Sequence, residues 1–473
     1  MKLPFEDHFG LGPGELRRVL DASLARGGDF AEIFLEYRLY HFVLMEEDII
    51  KETSESVSLG LGIRVCQGEK TGYGFTNDLS AEKILQTAAS AAAIAEAGPA
   101  GKTADWGSNG LPPPDVYLVR EPAHESDLAA KIALVQEAYA ACQAASPAVK
   151  KVKSALQDQV QYLTVANSEG RFVSDVRPLL KLTCVAIAEK GEVREYGFSG
   201  SGGRVGLEHF RDVLTPRAVG ADAAREALLL LEARDAPAGE MPVVLSPGHA
   251  GVLIHEAVGH LVEADFNRKR TSVFWNKMGE RVGSSLVTIY DDPTIPGSRG
   301  SYAVDDEGTV PGKTALVDRG ILVGLLQDKL SARLMGRTPT GHGRRQDYTD
   351  FPIPRMANTF IAAGEDDPAD IIRSVQKGLY ADRFTGGQVE DSGKFTFSVS
   401  SGYLIEGGRL TAPVKQATLI GTNIDILQKV DRVGSDLAFG QQTGTCGKEG
   451  QDVPVTDGCP TLRISGMTVG GRE

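Results

Sequence analysis

Cysteine and clustered basic residues are both scarce in this chain, and each scarcity removes a class of function. Five cysteines (Cys66, Cys142, Cys184, Cys446 and Cys459) are odd in number and widely scattered over 473 residues. A disulfide-stapled secreted domain carries a dense, even set instead, so the pattern points to reduced thiols in a cytoplasmic protein. The formal net charge is −13, from 50 Lys and Arg against 63 Asp and Glu. Nucleic-acid binding needs clustered cations facing phosphate. The notable basic clusters, Arg268-Lys269-Arg270 and Arg344-Arg345, are both short, so no nucleic-acid partner is expected. No apolar run approaches the ~20 residues that span a bilayer, and the N-terminus lacks the apolar core of a signal peptide. No membrane partner is expected either. Heptads, fixed-period repeats and low-complexity tails are also missing.

What is present describes a large globular protein. A hydrophobic share of 41%, a charged share of 24% and 55 glycines fit a turn-rich chain, and 473 residues exceed one ordinary core. Residues 14–26 carry leucine and valine at helical spacing and stop at Gly27-Gly28. Residues 30–40, 56–66 and 70–76 read as strands, the last two joined through Gln67-Gly68-Glu69. Helices are expected over 80–97, 127–145 and 215–234, a loop over 98–114, and antiparallel strands over 149–198. Gly200-Ser-Gly-Gly203 reads as a flexible turn.

The segment Asp235-Ala-Pro-Ala-Gly239 breaks the pattern and sets an expected boundary. The expected class is α+β, with an N-terminal α/β domain over 1–236 and a strand-rich C-terminal domain over 237–473. The second domain opens with a strand over 241–245, followed by Ser246-Pro247 as a helix start. Strands are expected over 285–290, 309–317, 321–327, 359–363, 394–405 and 409–420. Short helices are expected over 329–335 and 368–377.

The stretch with chemistry in it is Gly251-Val-Leu-Ile-His255-Glu256-Ala-Val-Gly-His260, an apolar run holding two of only eight histidines. Imidazole suits zinc, and a carboxylate beside it can take a proton from an activated water. The zinc-protease spacing HExxH stacks its histidines at i and i+4. Here the spacing is HExxxH, and at ~100° per residue the two rings sit ~140° apart on a regular helix. Either the helix widens into a π turn or it unwinds at His260, and Gly259 would tolerate that distortion. A catalytic zinc takes three protein ligands. Glu263, Asp265, His249, His342 and Cys446 are the candidates for the third, and residue type alone leaves them open.

The segments His255-Glu-Ala-Val-Gly-His260, Asp265-Phe-Asn-Arg268, Asp291-Asp-Pro-Thr-Ile-Pro-Gly297, Asp305-Asp-Glu-Gly308 and Pro339-Thr-Gly-His-Gly-Arg-Arg345 resemble the TldD/PmbA family of metallopeptidases, of the TldD type. The resemblance continues through Gly386-Gly-Gln388, Ser392-Gly-Lys-Phe395 and Gly444-Thr-Cys-Gly-Lys-Glu-Gly-Gln451, covering most of residues 240–473. It implies His255, His260 and Cys446 as ligands of a zinc ion and Glu256 as the catalytic base. Lys448, Arg344 and Gly387 are expected substrate contacts, with Lys448 or the Gly447 amide as oxyanion donor. The implied function is zinc-dependent hydrolysis of small or unfolded peptides inside a dimer cavity. The dimer would be a homodimer or a heterodimer with a PmbA/TldE-type subunit. An extended peptide could add to a strand edge.

Four alternatives stand beside this reading: a non-catalytic partner subunit, a DNA-gyrase modulator, a hydrolase of a modified peptide intermediate, and Cys446 as a nucleophile with a histidine base. Two departures from the family pattern bear on access and specificity. Leu261-Val-Glu-Ala-Asp265 replaces Gly-Leu-Glu-Gly-Asp, and His342 stands where a small polar residue is expected.

Overall fold

The computed structural model describes residues 9–95, 99–106, 116–390 and 392–471. Much of the loop expected over 98–114 therefore lies outside the described residues. The N-terminal half is built on six antiparallel strands: β1 (Phe30–Glu46), β2 (Ile49–Gln67), β3 (Lys70–Thr76), β4 (Val149–Asn167), β5 (Phe172–Lys190) and β6 (Val193–Gly203). They pair in the order β3-β2-β1-β4-β5-β6. Alternation decides which face is covered. Ala31, Ile33, Leu35 and Val43 of β1 all point to the side carrying the helices. There α1 (Pro13–Leu24) and α2 (Ala81–Ala92) share one apolar cluster with β1 and β2, while α3 (Leu128–Gln143) and α4 (Pro216–Glu232) share another with β4 and β5.

The opposite face meets the C-terminal half. Phe34, Leu163, Val165 and Val173 pack on Val304. Charge crosses the same seam: Arg64 pairs with Glu32 at 3.1 Å and with Glu307 at 2.5 Å, Arg345 with Glu32 at 2.5 Å, and Arg177 with Asp306 at 2.6 Å.

The second half centres on a mixed sheet containing β7 (Gly239–Leu245), β8 (Lys377–Val389), β9 (Lys394–Glu406), β10 (Arg409–Thr422) and a C-terminal strand, Leu462–Gly470. The C-terminal strand pairs antiparallel with β7 and β10, and β7 runs parallel to β8. One large apolar cluster lies between this sheet and the motif helix; Leu253, Ile254, Val258 and Leu261 belong to it.

Several sequence expectations change. Strands β1 and β2 run far past their expected ends, because Lys51-Glu-Thr-Ser-Glu-Ser56 in β2 is exposed on both faces and so lacks alternation. Gly200–Gly203 is the end of β6, not a turn. A Cβ on Gly200 would sit 2.6 Å from Thr443 Cγ2, and one on Gly203 would sit 2.2 Å from the Gly297 carbonyl oxygen. Those glycines serve close approach. Ser246-Pro247 does not start the helix; Gly248 turns at φ 78° and the helix begins at Gly251. The strands expected near 285–327 shrink to Ile289–Asp291, Thr314–Asp318 and Ile321–Leu322. Strand β8 was hidden by its bulges around Arg383 and Gly386.

Candidate metal centre

The histidine spacing is resolved by the first of the two expected distortions. An α-turn over Gly251–Ile254 gives way to a π turn over His255–Gly259, where the His260 N–H donates to the His255 carbonyl. That i to i+5 bond overlays residues five apart, as metal binding at this spacing requires. Gly259 is needed for a reason other than flexibility. Its φ of −51° and ψ of −57° suit any residue, but a Cβ there would lie 1.9 Å from Met356 Sδ.

Cys446 reaches the two rings from a separate hairpin, β11 (Thr445–Lys448) with β12 (Gln451–Pro454). Arg355, fully buried, ties this hairpin down by donating to the carbonyls of Cys446 and Gln451. One ligand atom each from His255, His260 and Cys446 lies within 4.8 Å of the others. The His260 Nε2 to Cys446 Sγ distance is 3.4 Å. The two rings stand 5.1 Å apart at 86°.

Each imidazole is oriented from behind by a carboxylate. His255 Nδ1 faces Asp457 Oδ1 at 2.7 Å, and His260 Nδ1 faces Glu263 Oε2 at 3.1 Å. Such pairs fix the ring orientation and leave Nε2 for a metal. Burial works against charging His255, but Asp457 and Cys446 outweigh it and hold the ring well above its ordinary range. His260 is likewise pushed up to about 10 against burial, chiefly by Glu263. Burial opposes the Cys446 thiolate, yet the two histidines bring the thiol well below its usual value. The pocket thus favours a thiolate facing concentrated positive charge. Two nitrogens and a thiolate suit zinc, and the residues present fit that ion.

Glu256 lies beside this group, its Oε2 3.9 Å from His260 Nε2 and its side chain 21% exposed. Burial raises its carboxyl above the usual range, with His255 and His260 pulling back. That is the direction a general base needs.

The other expected contacts are occupied elsewhere. Lys448 Nζ is buried 2.8 Å from Asp265 Oδ1 and 3.1 Å from Glu263 Oε2, over the Phe266 ring. It steadies the carboxylate behind His260 and has no free donor aimed at a substrate. Arg344 is buried, donates to the carbonyls of Met356 and Pro454, and lies over Tyr302. Gly387 is crowded by the Phe397 ring. His249 and His342 do not join the three converging side chains. His342 is fully buried between Asp291 and Thr340, which gives it a packing role. Leu261 and Ala264 sit in ordinary helical backbone, so losing the family glycines imposes no strain. Sequence reasoning missed Asp457, which lies 202 residues from its histidine with no local pattern to mark it.

A cleft of about 960 Å³ opens between β6 and the second sheet. Phe198, His249, Arg383, Phe384 and Thr443 are among its lining residues.

Three family models tile the chain: PmbA/TldA metallopeptidase domain 1 over residues 31–95, the central domain over 121–231 and the C-terminal domain over 238–471. A Haemophilus influenzae protein named a metalloprotease TldD homolog is 41% identical over 461 residues, covering 96% of each chain. The chain belongs to the PmbA/TldD metallopeptidase family. A Methanothermobacter thermautotrophicus protein named a metalloprotease is 35% identical over 91% of this chain and 92% of its own. A Saccharolobus solfataricus protein named a zinc metalloprotease TldD homolog is 27% identical, over 69% of this chain and 72% of its own. The fold is shared with TldE from Thermococcus kodakarensis, at a TM-score of 0.74 and 19% identity over 97% of this chain and 99% of that one. Among the described residues, no helix is long and apolar enough to cross a membrane.

Proposed function

We propose that this PmbA/TldD family member is a zinc-dependent peptidase acting on small or unfolded peptides. The convergence of His255, His260 and Cys446 beside Glu256 carries the reading. His255, His260 and Cys446 would hold the zinc ion, which when bound would supply a Lewis acid for the attacking water and the scissile carbonyl. Glu256 takes the proton of the attacking water on its carboxylate and passes it to the nitrogen of the leaving amine. Asp457 and Glu263 hold the Nδ1 protons of the two histidines, and Lys448 holds Glu263 in turn. With Lys448 committed to that task, it acts as a positioning residue.

The relative in Saccharolobus solfataricus supports zinc as the metal. The likeness to TldE supports a dimeric assembly, either of two copies or with a TldE-type subunit, that encloses the site. Five buried free cysteines accord with a cytoplasmic setting. The division at 236–237 falls between the central and C-terminal family models.

Metal content by mass spectrometry is the test. About one zinc per chain is expected, lost in Cys446→Ala and kept in Glu256→Gln. Glu256→Gln should lower peptide hydrolysis by roughly 10³-fold or more. A chain that takes up no zinc when zinc is supplied ends the peptidase reading and favours a non-catalytic partner subunit.

A further inference from the structure

Cations buried without a carboxylate are rare, because an uncompensated charge in the interior is expensive. This chain carries a net charge of −13, yet among the described residues a group of its buried cations has no carboxylate at ion-pair distance. Arg299 is 6% exposed. Its Nε donates to the Gly444 carbonyl at 2.7 Å, while its two terminal nitrogens donate to no described protein group. The guanidinium of Arg204, 3% exposed, donates among the described residues to the carbonyls of Ser301 and Pro178. The ammonium of half-buried Lys181 has no ion pair or hydrogen bond among the described residues. Arg344 joins the group with carbonyl partners alone.

The charges lie close enough to depress one another. Burial and Arg299 bring the Lys181 ammonium down to about 8, and burial and Arg344 bring Arg299 down to about 10. Arg299 also lies by the segment that leads into the Cys446 hairpin. Gly444, the acceptor of Arg299, stands two residues before Cys446. Lys181 of β5 pairs with Gly202 of β6, on the strand whose Gly200 packs against Thr443.

We propose that Lys181 and Arg299 form an anion subsite that holds a carboxylate of the peptide substrate beside the metal centre. The guanidinium fork matches a carboxylate through two parallel N–H donors, and the ammonium adds a point charge. A peptide offers that chemistry from two sources, its C-terminal carboxylate or an Asp or Glu side chain. The subsite rests on the peptidase reading for its ligand, but not for its charge.

The test measures binding to the full-length, metal-free chain, so it needs no hydrolysis. The probes are an N-acetylated tripeptide acid, its C-terminal amide, and the same amide ending in glutamate. The acid should bind at least about tenfold tighter than the plain amide, given the strength of charge-assisted pairs. That ratio should fall towards one in Lys181→Met and in Arg299→Gln, and should persist in Lys181→Arg. If the glutamyl amide binds like the acid, a side-chain carboxylate is accepted; if it binds like the plain amide, the subsite reads the terminus. A ratio near one in the native chain overturns the proposal. So does a ratio unchanged in both variants, or inorganic phosphate displacing neither probe. A chain that prefers the acid yet takes up no zinc keeps the subsite and loses the peptidase reading.

Discussion

Two regions of the molecule treat buried cations in opposite ways. At the seam between the halves, Arg64, Arg177 and Arg345 each face carboxylates from Glu32, Asp175, Asp306 or Glu307. Among the described residues, Arg204, Arg299 and Arg344 make their side-chain hydrogen bonds to carbonyl oxygens and have no carboxylate at ion-pair distance. Arg344 and Arg345 are chain neighbours, so composition and position along the sequence do not explain the contrast. The seam uses its charges to lock two halves together. The second group holds its charges without a carboxylate in direct contact, as the proposed anion subsite requires. Buried ions without partners are tolerated where a ligand completes them, and buried ions with partners are structural.

The largest effect should come from breaking the seam. Arg64→Met leaves Glu32 and Glu307 buried without their shared cation. Removing one member of such a set typically costs about 3–5 kcal/mol. Urea unfolding should show a midpoint lowered accordingly, with zinc uptake by the residual folded protein intact. A shift below about 1 kcal/mol would mean that the seam charges do not hold the halves together.

A smaller effect belongs to the carboxylates behind the histidines, which are paired like the seam but serve a ligand. Asp457→Asn keeps the shape while removing the charge behind His255. Metal affinity should fall about 10–100-fold, the usual range for losing such an outer partner. Competition with a zinc chelator would measure it. Unaltered affinity would make Asp457 a packing residue only.

How much of this was legible beforehand follows from where each signal resides. The motif histidines and Glu256 lie within six residues, and their odd spacing demanded a distorted helix, which the π turn supplies. Cys446 carried no local pattern that singled it out, and only the family resemblance chose it from five candidates. Asp457 could not be read at all, because its role depends on β-strand packing 202 residues away. Lys448 was misread for a related reason. A lysine beside a ligand cysteine suggests substrate contact, whereas Glu263 and Asp265 from the motif segment take its ammonium. In the fold, polarity hid the outer half of β2, and glycines chosen for close packing made the end of β6 look like a turn.

The smallest expected change is the one that separates the two regions most sharply. Replacing a buried, carboxylate-paired cation destabilises, but replacing one that has no partner removes a desolvation penalty and leaves no orphaned carboxylate behind. Lys181→Met keeps the aliphatic stem and deletes an ammonium whose protonation burial and Arg299 already disfavour. Its unfolding free energy should therefore stay within about 1 kcal/mol of the native chain, and any change should be a gain. Adding a saturating peptide acid should then stabilise the native chain more than the variant, because only the native chain binds the acid well. A Lys181→Met protein destabilised as much as Arg64→Met would place Lys181 among the structural charges, and the contrast between the two regions would fail at that residue.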